Sequence, residues 1–277
     1  MTNSGMKVWL ITGASRGLGK EMVAAALEAG DAVIAGVRDI MKSNDLPTSD
    51  QLRIVQLDVT EQMQAQKAVE MAISYFGRID VVINNAGYGL LGAVEETSAE
   101  QVRNIFATNV EGPLNIIRAV LPILRQQGSG HIINISSLGG FAASAGNGVY
   151  GASKFALEGL SEALEKEVKH FGIKVTVVEP GLFRTEFLSE KSIQFAAKQL
   201  SDYDSVINRN RAKEANGSQL GDPKKAATAI REIASLKSPP LRIPLGEDAL
   251  KRVQDKLNYV GQELESYRSI SLSTNLE

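Results

Sequence analysis

Tyr150 and Lys154 are the pair in this 277-residue sequence best spaced for acid–base chemistry. At i and i+4 on one helix their side chains share a face. A phenol with a pKa of about 10 is a poor base at neutral pH, and a neighbouring ammonium stabilises its phenolate. Together they could exchange a proton with a substrate oxygen. Such a pair also arises by chance on exposed helices, so its surroundings matter. Ser136 and Ser137 close the apolar run just before this helix, and Asn84-Asn85-Ala86-Gly87 closes an earlier one. Asn109 lies inside a long apolar helix. A polar residue there needs a reason, although a local hydrogen bond is the ordinary one.

A second motif follows the first apolar run: Thr12-Gly13-Ala14-Ser15-Arg16-Gly17-Leu18-Gly19. Gly13 permits a tight turn, Gly17 lets the backbone approach a phosphate, and Gly19 lets helix pack on strand. The helix that follows offers unpaired N–H groups and the positive end of its dipole to a pyrophosphate. The spacing is one residue longer than the usual dinucleotide fingerprint, and a plain tight turn is the bland alternative. The same residues also fit G-x-S-x-G, a hydrolase nucleophile elbow at Ser15. That reading fails on its partner, because triads are decided by geometry. The two histidines, His131 opening a strand and His170 ending a helix, both belong to the opposite sheet edge. We expect both to be surface or loop residues.

These motifs must be held by a scaffold, and the sequence alternates β-branched apolar runs with helical ones, the signature of βαβ units. Strands are expected at Lys7–Thr12, Ala32–Val37, Leu52–Leu57, Val81–Asn84, His131–Ser136 and Lys174–Glu179, with a seventh at Arg242–Leu245. Helices are expected at Leu18–Ala29, Glu61–Phe76, Ala99–Gln126, Tyr150–Phe171 and Glu247–Ser269. The expectation is an α/β fold, a Rossmann-type doubly wound parallel sheet of about seven strands with helices on both faces. Residues 1–277 read as one dinucleotide-binding domain. Residues 186–222, polar and without a clear strand, read as a substrate lid, and about 240–270 as a strand–helix extension.

The end of the second strand reports on the dinucleotide. An acidic residue there binds the adenosine ribose, but Gly36 takes that place and Arg38 follows. With Arg16 in the glycine loop, two guanidiniums favour a 2′-phosphate. NADP(H) is therefore favoured, with NAD(H) as the alternative should Asp39 reach the ribose.

Taken in order, these motifs resemble the short-chain dehydrogenase/reductase superfamily, in its compact single-domain branch. They are Thr12-Gly13-x-x-x-Gly17-x-Gly19, Asp58-Val59, Asn84-Asn85-Ala86-Gly87, Asn109, Ser137, Tyr150-x-x-x-Lys154 and Pro180-Gly181-x-x-x-Thr185. The likeness spans roughly residues 6–190. It implies Tyr150 as general acid/base, with Lys154 lowering its pKa and holding the nicotinamide ribose. Ser137 would polarise the substrate oxygen, with Ser136 as the fallback, and Asn109 would support a water chain to Lys154. Gly13, Ser15, Arg16, Gly17, Leu18, Gly19 and Arg38 would contact the phosphates and adenosine ribose. Asp58 and Val59 would meet the adenine, and Asn85, Ala86 and Gly87 would line the cleft. Pro180, Gly181 and Thr185 would flank the nicotinamide.

Composition narrows the rest. Thirty basic and 32 acidic side chains give a net charge of -2, which argues against nucleic acid or an anionic membrane as partner. The absence of cysteine excludes disulfides and thiol nucleophiles, and with two distant histidines no metal site is expected. The polar start is unlike a signal peptide, and no apolar run approaches membrane-spanning length, so a cytoplasmic protein is expected. Apolar residues near the site suit a hydrophobic ketone, aldehyde, or steroid- or retinoid-like substrate: Leu90, Leu91, Leu138, Phe141 and Ala142, then Phe183, Phe187 and Leu188. Several of these could equally be core. The alternatives are an NAD-dependent alcohol (hydroxysteroid-like) dehydrogenase, an extended-branch epimerase, and a nicotinamide-sensing regulator without chemistry. A homodimer or homotetramer built on the helices at 99–126 and 150–171 is also expected.

Overall fold

The computed structural model describes residues 5–189, 192–210 and 214–276. Seven parallel strands form the central sheet: β1 (Val8–Thr12), β2 (Ala32–Val37), β3 (Leu52–Gln56), β4 (Val81–Asn84), β6 (Gly130–Ile135), β7 (Ile173–Pro180) and β9 (Arg242–Leu245). Their order is β3-β2-β1-β4-β6-β7-β9. Every residue of β1, β2 and β4 is buried. That is why these strands read as unbroken apolar runs: helices cover both faces.

On one face α2 (Gln62–Phe76), α4 (Gly112–Gln127) and α5 (Gly148–Val168) bury Ala65, Ile116, Val120 and Leu164 against Leu10, Ile34 and Ile132. On the other, α1 (Gly17–Glu28) and α6 (Pro223–Ser235) bury Val23, Ala26, Ala227 and Ile230 against Trp9, Ile11 and Ile83. The chain order reverses between β1 and β4, and at such a switch point the loops from the strand ends diverge and leave a crevice. The glycine turn leaves β1 there and Asn84–Gly87 leaves β4.

The structure departs from the sequence expectations in four places. The helix expected over Ala99–Gln126 is two helices, α3 (Ala99–Phe106) and α4, joined by a π-turn at Ala107–Glu111. Residues 186–222, expected to lack a strand, contain β8 (Ile193–Phe195), parallel to another short strand, β5 (Gly89–Leu91). Residues 190–191 and 211–213 of that expected lid lie outside the described residues. The last long helix, α7, covers Glu247–Ser266 and gives way at Tyr267 to a short helix, Arg268–Leu272. His131, expected at the surface, is buried, with its Nε2 2.9 Å from Thr176 Oγ1. Burial and the nearby Lys174 and Lys7 push its pKa down to about 3. Among the described residues no helix is long and apolar enough to cross a membrane.

Candidate active site

The glycine turn and the Asn84–Gly87 corner are one brace. Thr12 Oγ1 accepts from the backbone N–H groups of Asn85 and Ala86, both at 3.0 Å. Asn85 Nδ2 donates to the carbonyls of Thr12 and Gly13 at 2.9 and 3.1 Å. Gly13 and Gly17 have φ of 63° and 53°, a region that side-chain-bearing residues rarely adopt. A Cβ on Gly13 would stand 2.9 Å from Ala86 Cα, and one on Gly19 would stand 2.3 Å from the Gly13 carbonyl oxygen. The loop is therefore closed down on its own backbone, with the start of α1 facing the crevice. Ser15, Arg16, Gly17 and Lys20 line a cleft whose far wall is Arg184 and Thr185.

At the next strand end Gly36 pairs with Thr12 and Val55. A Cβ there would lie 2.5 Å from Leu57 Cδ2. Arg38 follows, exposed at the mouth. The Asp39 carboxylate accepts from Met41 N–H at 3.0 Å and pairs with Lys42 at 3.3 Å, so it is committed to capping a local turn. Asp58 Oδ1 accepts from the N–H and hydroxyl of Thr60, and Val59 is buried under Gly112.

The proton-handling groups gather on the other side of the switch point. Tyr150 and Lys154 project from the first turns of α5. Ser137 opens the short turn after β6 and accepts from Gly139 N–H at 3.1 Å. Its hydroxyl reaches Tyr150, whereas Ser136 is buried beside Glu158. Lys154 is buried and donates from Nζ to the Ile135 carbonyl at 2.8 Å. A Cβ on Gly87 would stand 3.0 Å from Asn109 Oδ1 and 3.5 Å from Lys154 Nζ, which brings the Asn84 corner, the π-turn and α5 to one point. The Asn109 amide accepts from Tyr88 N–H and donates to Tyr88 O and Ser153 Oγ. Pro180 ends β7, Gly181 N–H bonds Leu245 O, and Thr185 caps the turn holding Phe187. The Phe187 ring centroid lies 6.2 Å from that of Tyr150. Of the expected pocket residues, Leu90 and Ala142 are core.

Electrostatics in this corner run against one expectation. Burial pushes the Tyr150 phenol up to about 12, while the Ser137 hydrogen bond pulls it back. Burial is thus the largest influence on the phenol, and the Ser137 hydroxyl, rather than Lys154, is what lowers it. Lys154 itself is pushed down to about 8 by burial, opposed by the charge of Glu158.

Sequence reasoning passed over the groups behind Lys154. Glu158 lies one turn further along α5, and its Oε2 accepts from Arg242 Nε at 3.0 Å. Arg242 also donates to Glu162 at 2.8 Å. Glu179, inside β7, is fully buried and neither carboxyl oxygen has a hydrogen-bond partner. Its pKa rises to about 7 through burial and the neighbouring Glu158, against the pull of Arg242. The i, i+4, i+8 spacing of Tyr150, Lys154 and Glu158 was the available signal, as was a carboxylate in an otherwise apolar strand. Also missed was Glu96, buried before α3, which bonds Arg209 at 2.6 and 3.0 Å and Leu200 N–H at 2.6 Å. That pair ties the segment after β8 to the body.

A short chain dehydrogenase family model matches residues 7–195, a span that takes in the glycine turn and every group around Tyr150. The chain belongs to that family. Among curated relatives, an oxidoreductase named BOA17 from Botryotinia fuckeliana is 38% identical over 97% of this chain and 99% of its own. A 3-ketodihydrosphingosine reductase from Bacteroides thetaiotaomicron is 40% identical over 87% of this chain and 88% of its own. A short-chain dehydrogenase crystal structure from Streptomyces avermitilis superposes with a TM-score of 0.91 at 40% identity, covering 98% of this chain and 100% of that one. As a short-chain dehydrogenase the chain is an enzyme of the oxidoreductase type.

Proposed function

We propose that this enzyme reduces a ketone or aldehyde on an apolar substrate, using NADP(H). The observation that carries the reading is the meeting of Ser137, Tyr150 and Lys154 at the switch point beside the braced glycine turn. Gly13, Ser15, Arg16, Gly17, Leu18 and Gly19 would hold the pyrophosphate, and Asp58, Val59, Asn85, Ala86 and Gly87 the adenine side and cleft wall. Lys154, Pro180, Gly181 and Thr185 would hold the nicotinamide end. When bound, the dinucleotide supplies the hydride.

The residues themselves suit carbonyl reduction. With its pKa near 12, Tyr150 carries its proton throughout the neutral range and is ready to give it to a carbonyl oxygen gaining charge. Ser137 offers a second hydroxyl to the same oxygen. Lys154, held by the Ile135 carbonyl, keeps a positive charge near the phenol without leaving the helix. Phe187 shields the Tyr150 ring, and its half-exposed face is apolar, as a hydrophobic carbonyl substrate needs. A relative named for reducing a 3-keto group supports the same class.

NADP(H) is favoured for three reasons: Leu57 fills the place of a ribose-binding acid at Gly36, Arg38 is exposed at the mouth, and Asp39 is engaged in its own turn. We also propose a homodimer or homotetramer through α4 and α5, where Phe155 lies 42% exposed. Light scattering that shows only monomer at micromolar concentration would reject that assembly.

Titration of the protein with NADPH and NADH, followed by nicotinamide fluorescence, tests the central reading. At least tenfold tighter binding of NADPH is expected. Preference for NADH would turn the reading towards alcohol oxidation, and binding of neither would overturn it.

A further inference from the structure

Helix α7 leaves the body of the protein part-way along its length. Its first turns are anchored: Ala249 is fully buried and Arg252 Nη2 donates to the Ala143 carbonyl at 2.9 Å. From Leu257 to Leu276 every residue is exposed. A solvated helix is ordinarily polar all round, and an isolated one of this length is marginal in water. This one carries an apolar ridge, with Leu250 61%, Leu257 51%, Leu264 68% and Tyr267 60% exposed.

The ridge has a definite period. Leu250, Val253, Leu257, Val260, Leu264 and Tyr267 recur at alternating steps of three and four, the a and d positions of a heptad. A surface helix packing on its own core follows a period nearer 3.6, whereas a 3.5 repeat keeps one seam against another helix. The seam is also its own complement. Laid antiparallel on a second copy, Leu250 meets Tyr267, Val253 meets Leu264, and Leu257 meets Val260. All three layers share one two-fold axis, between residues 258 and 259.

The flanking charges follow the same register. At the g positions Lys256 faces Glu263 of the second copy. That pair occurs twice by symmetry and joins opposite charges. A parallel alignment would set Lys256 against Gly261 and lose its partner. Within the single chain the Lys256 ammonium lies 5.1 Å from the Tyr259 ring centroid, leaving the seam open. An anionic membrane surface is the poorer occupant, because Glu247–Ser266 carries five acidic and three basic side chains.

We propose that α7 pairs with α7 of a second copy as an antiparallel two-helix coiled coil. This surface is separate from the α4 and α5 faces and independent of the catalytic reading.

The absence of cysteine makes the test direct. Chains carrying Val253→Cys and Leu264→Cys, with tags of different size, are mixed and mildly oxidised. A disulfide joining the two is expected from the mixture, with little product from either alone. Equal cross-linking of each alone means parallel pairing, and no cross-link at all means no pairing; both overturn the proposal. Sedimentation equilibrium supplies the second arm. Lys256→Glu should weaken this association step at least tenfold, and adding Glu263→Lys should restore it to within about threefold. Association unmoved by Lys256→Glu, or binding to anionic vesicles by a chain that does not self-associate, would also overturn it. Unchanged NADPH binding confirms that each variant is folded.

Discussion

The two halves of the sheet do their work by different means. Around β3, β2 and β1 the interior is aliphatic, and the functional features are places where a side chain is missing: Gly13, Gly17, Gly19 and Gly36. Around β6, β7 and β9 the interior is laced with polar groups. Asn84 Nδ2 donates to Asn134 Oδ1, Asn134 Nδ2 donates to Ser161 Oγ, and Glu158, Glu179, His131 and Thr176 are buried nearby. The first half recognises by backbone shape. The second tunes protons by desolvation and charge, which costs stability wherever a buried polar atom lacks a partner.

Breaking the proton half at its centre should have the largest effect. Tyr150→Phe is expected to lower kcat by about 10²–10⁴-fold while leaving NADPH affinity within a few-fold. Steady-state kinetics beside fluorescence titration would check this, and near-normal turnover would remove the general-acid role.

Breaking the shape half should do the reverse. Gly19→Ala places a methyl 2.3 Å from a backbone oxygen, where no rotamer relieves it. NADPH affinity should fall at least tenfold, with thermal stability lowered by roughly 1–3 kcal/mol. Retained affinity would mean the loop has slack that its brace does not suggest.

The pH dependence sharpens the contrast. Glu179 binds its proton more tightly when folded, with a pKa near 7 against an ordinary 4.5. Its contribution to stability is full below about 4.5 and lost as pH rises through 7. Glu179→Gln should therefore gain on the wild type as pH rises from 5 to 8, by roughly 1–3 kcal/mol at the upper end. Parallel denaturation curves at pH 5 and pH 8 would contradict this.

An effect of opposite sign is expected at His131, which is held neutral when folded. Its contribution is present above about 6.5 and lost as pH falls towards 3. His131→Asn should flatten the acid limb of the stability profile, read as melting temperature between pH 6.5 and 4.5.

The shape half was the more legible in sequence. Glycines at fixed offsets after an apolar run leave few alternatives, and β1, β2 and β4 fall where their β-branched runs lie. Tyr150, Lys154 and Ser137 were legible because their spacing along one helix and one strand end survives folding. The groups behind them were not. Glu158 looks like any helix-surface carboxylate until Arg242, 84 residues later, comes to lie against it. Helical periodicity runs straight through Ala107–Glu111, since a π-turn changes the hydrogen-bond step without changing residue types. Strand β8 is three residues long and exists only because β5 offers an edge. The expected low pKa of Tyr150 failed for a related reason: a pairwise rule saw Lys154 but not the wall of the pocket.

Leu57, resting on Gly36, carries a consequence for how such an enzyme could change its diet. Introducing a carboxylate at position 36 first collides with that leucine, and trimming the leucine first opens a void in an otherwise full interior. Either order passes through a worse protein before reaching a new one. The side chain thus acts as a ratchet on inheritance, making the proposed NADP(H) preference harder to lose by single steps than any surface arginine could.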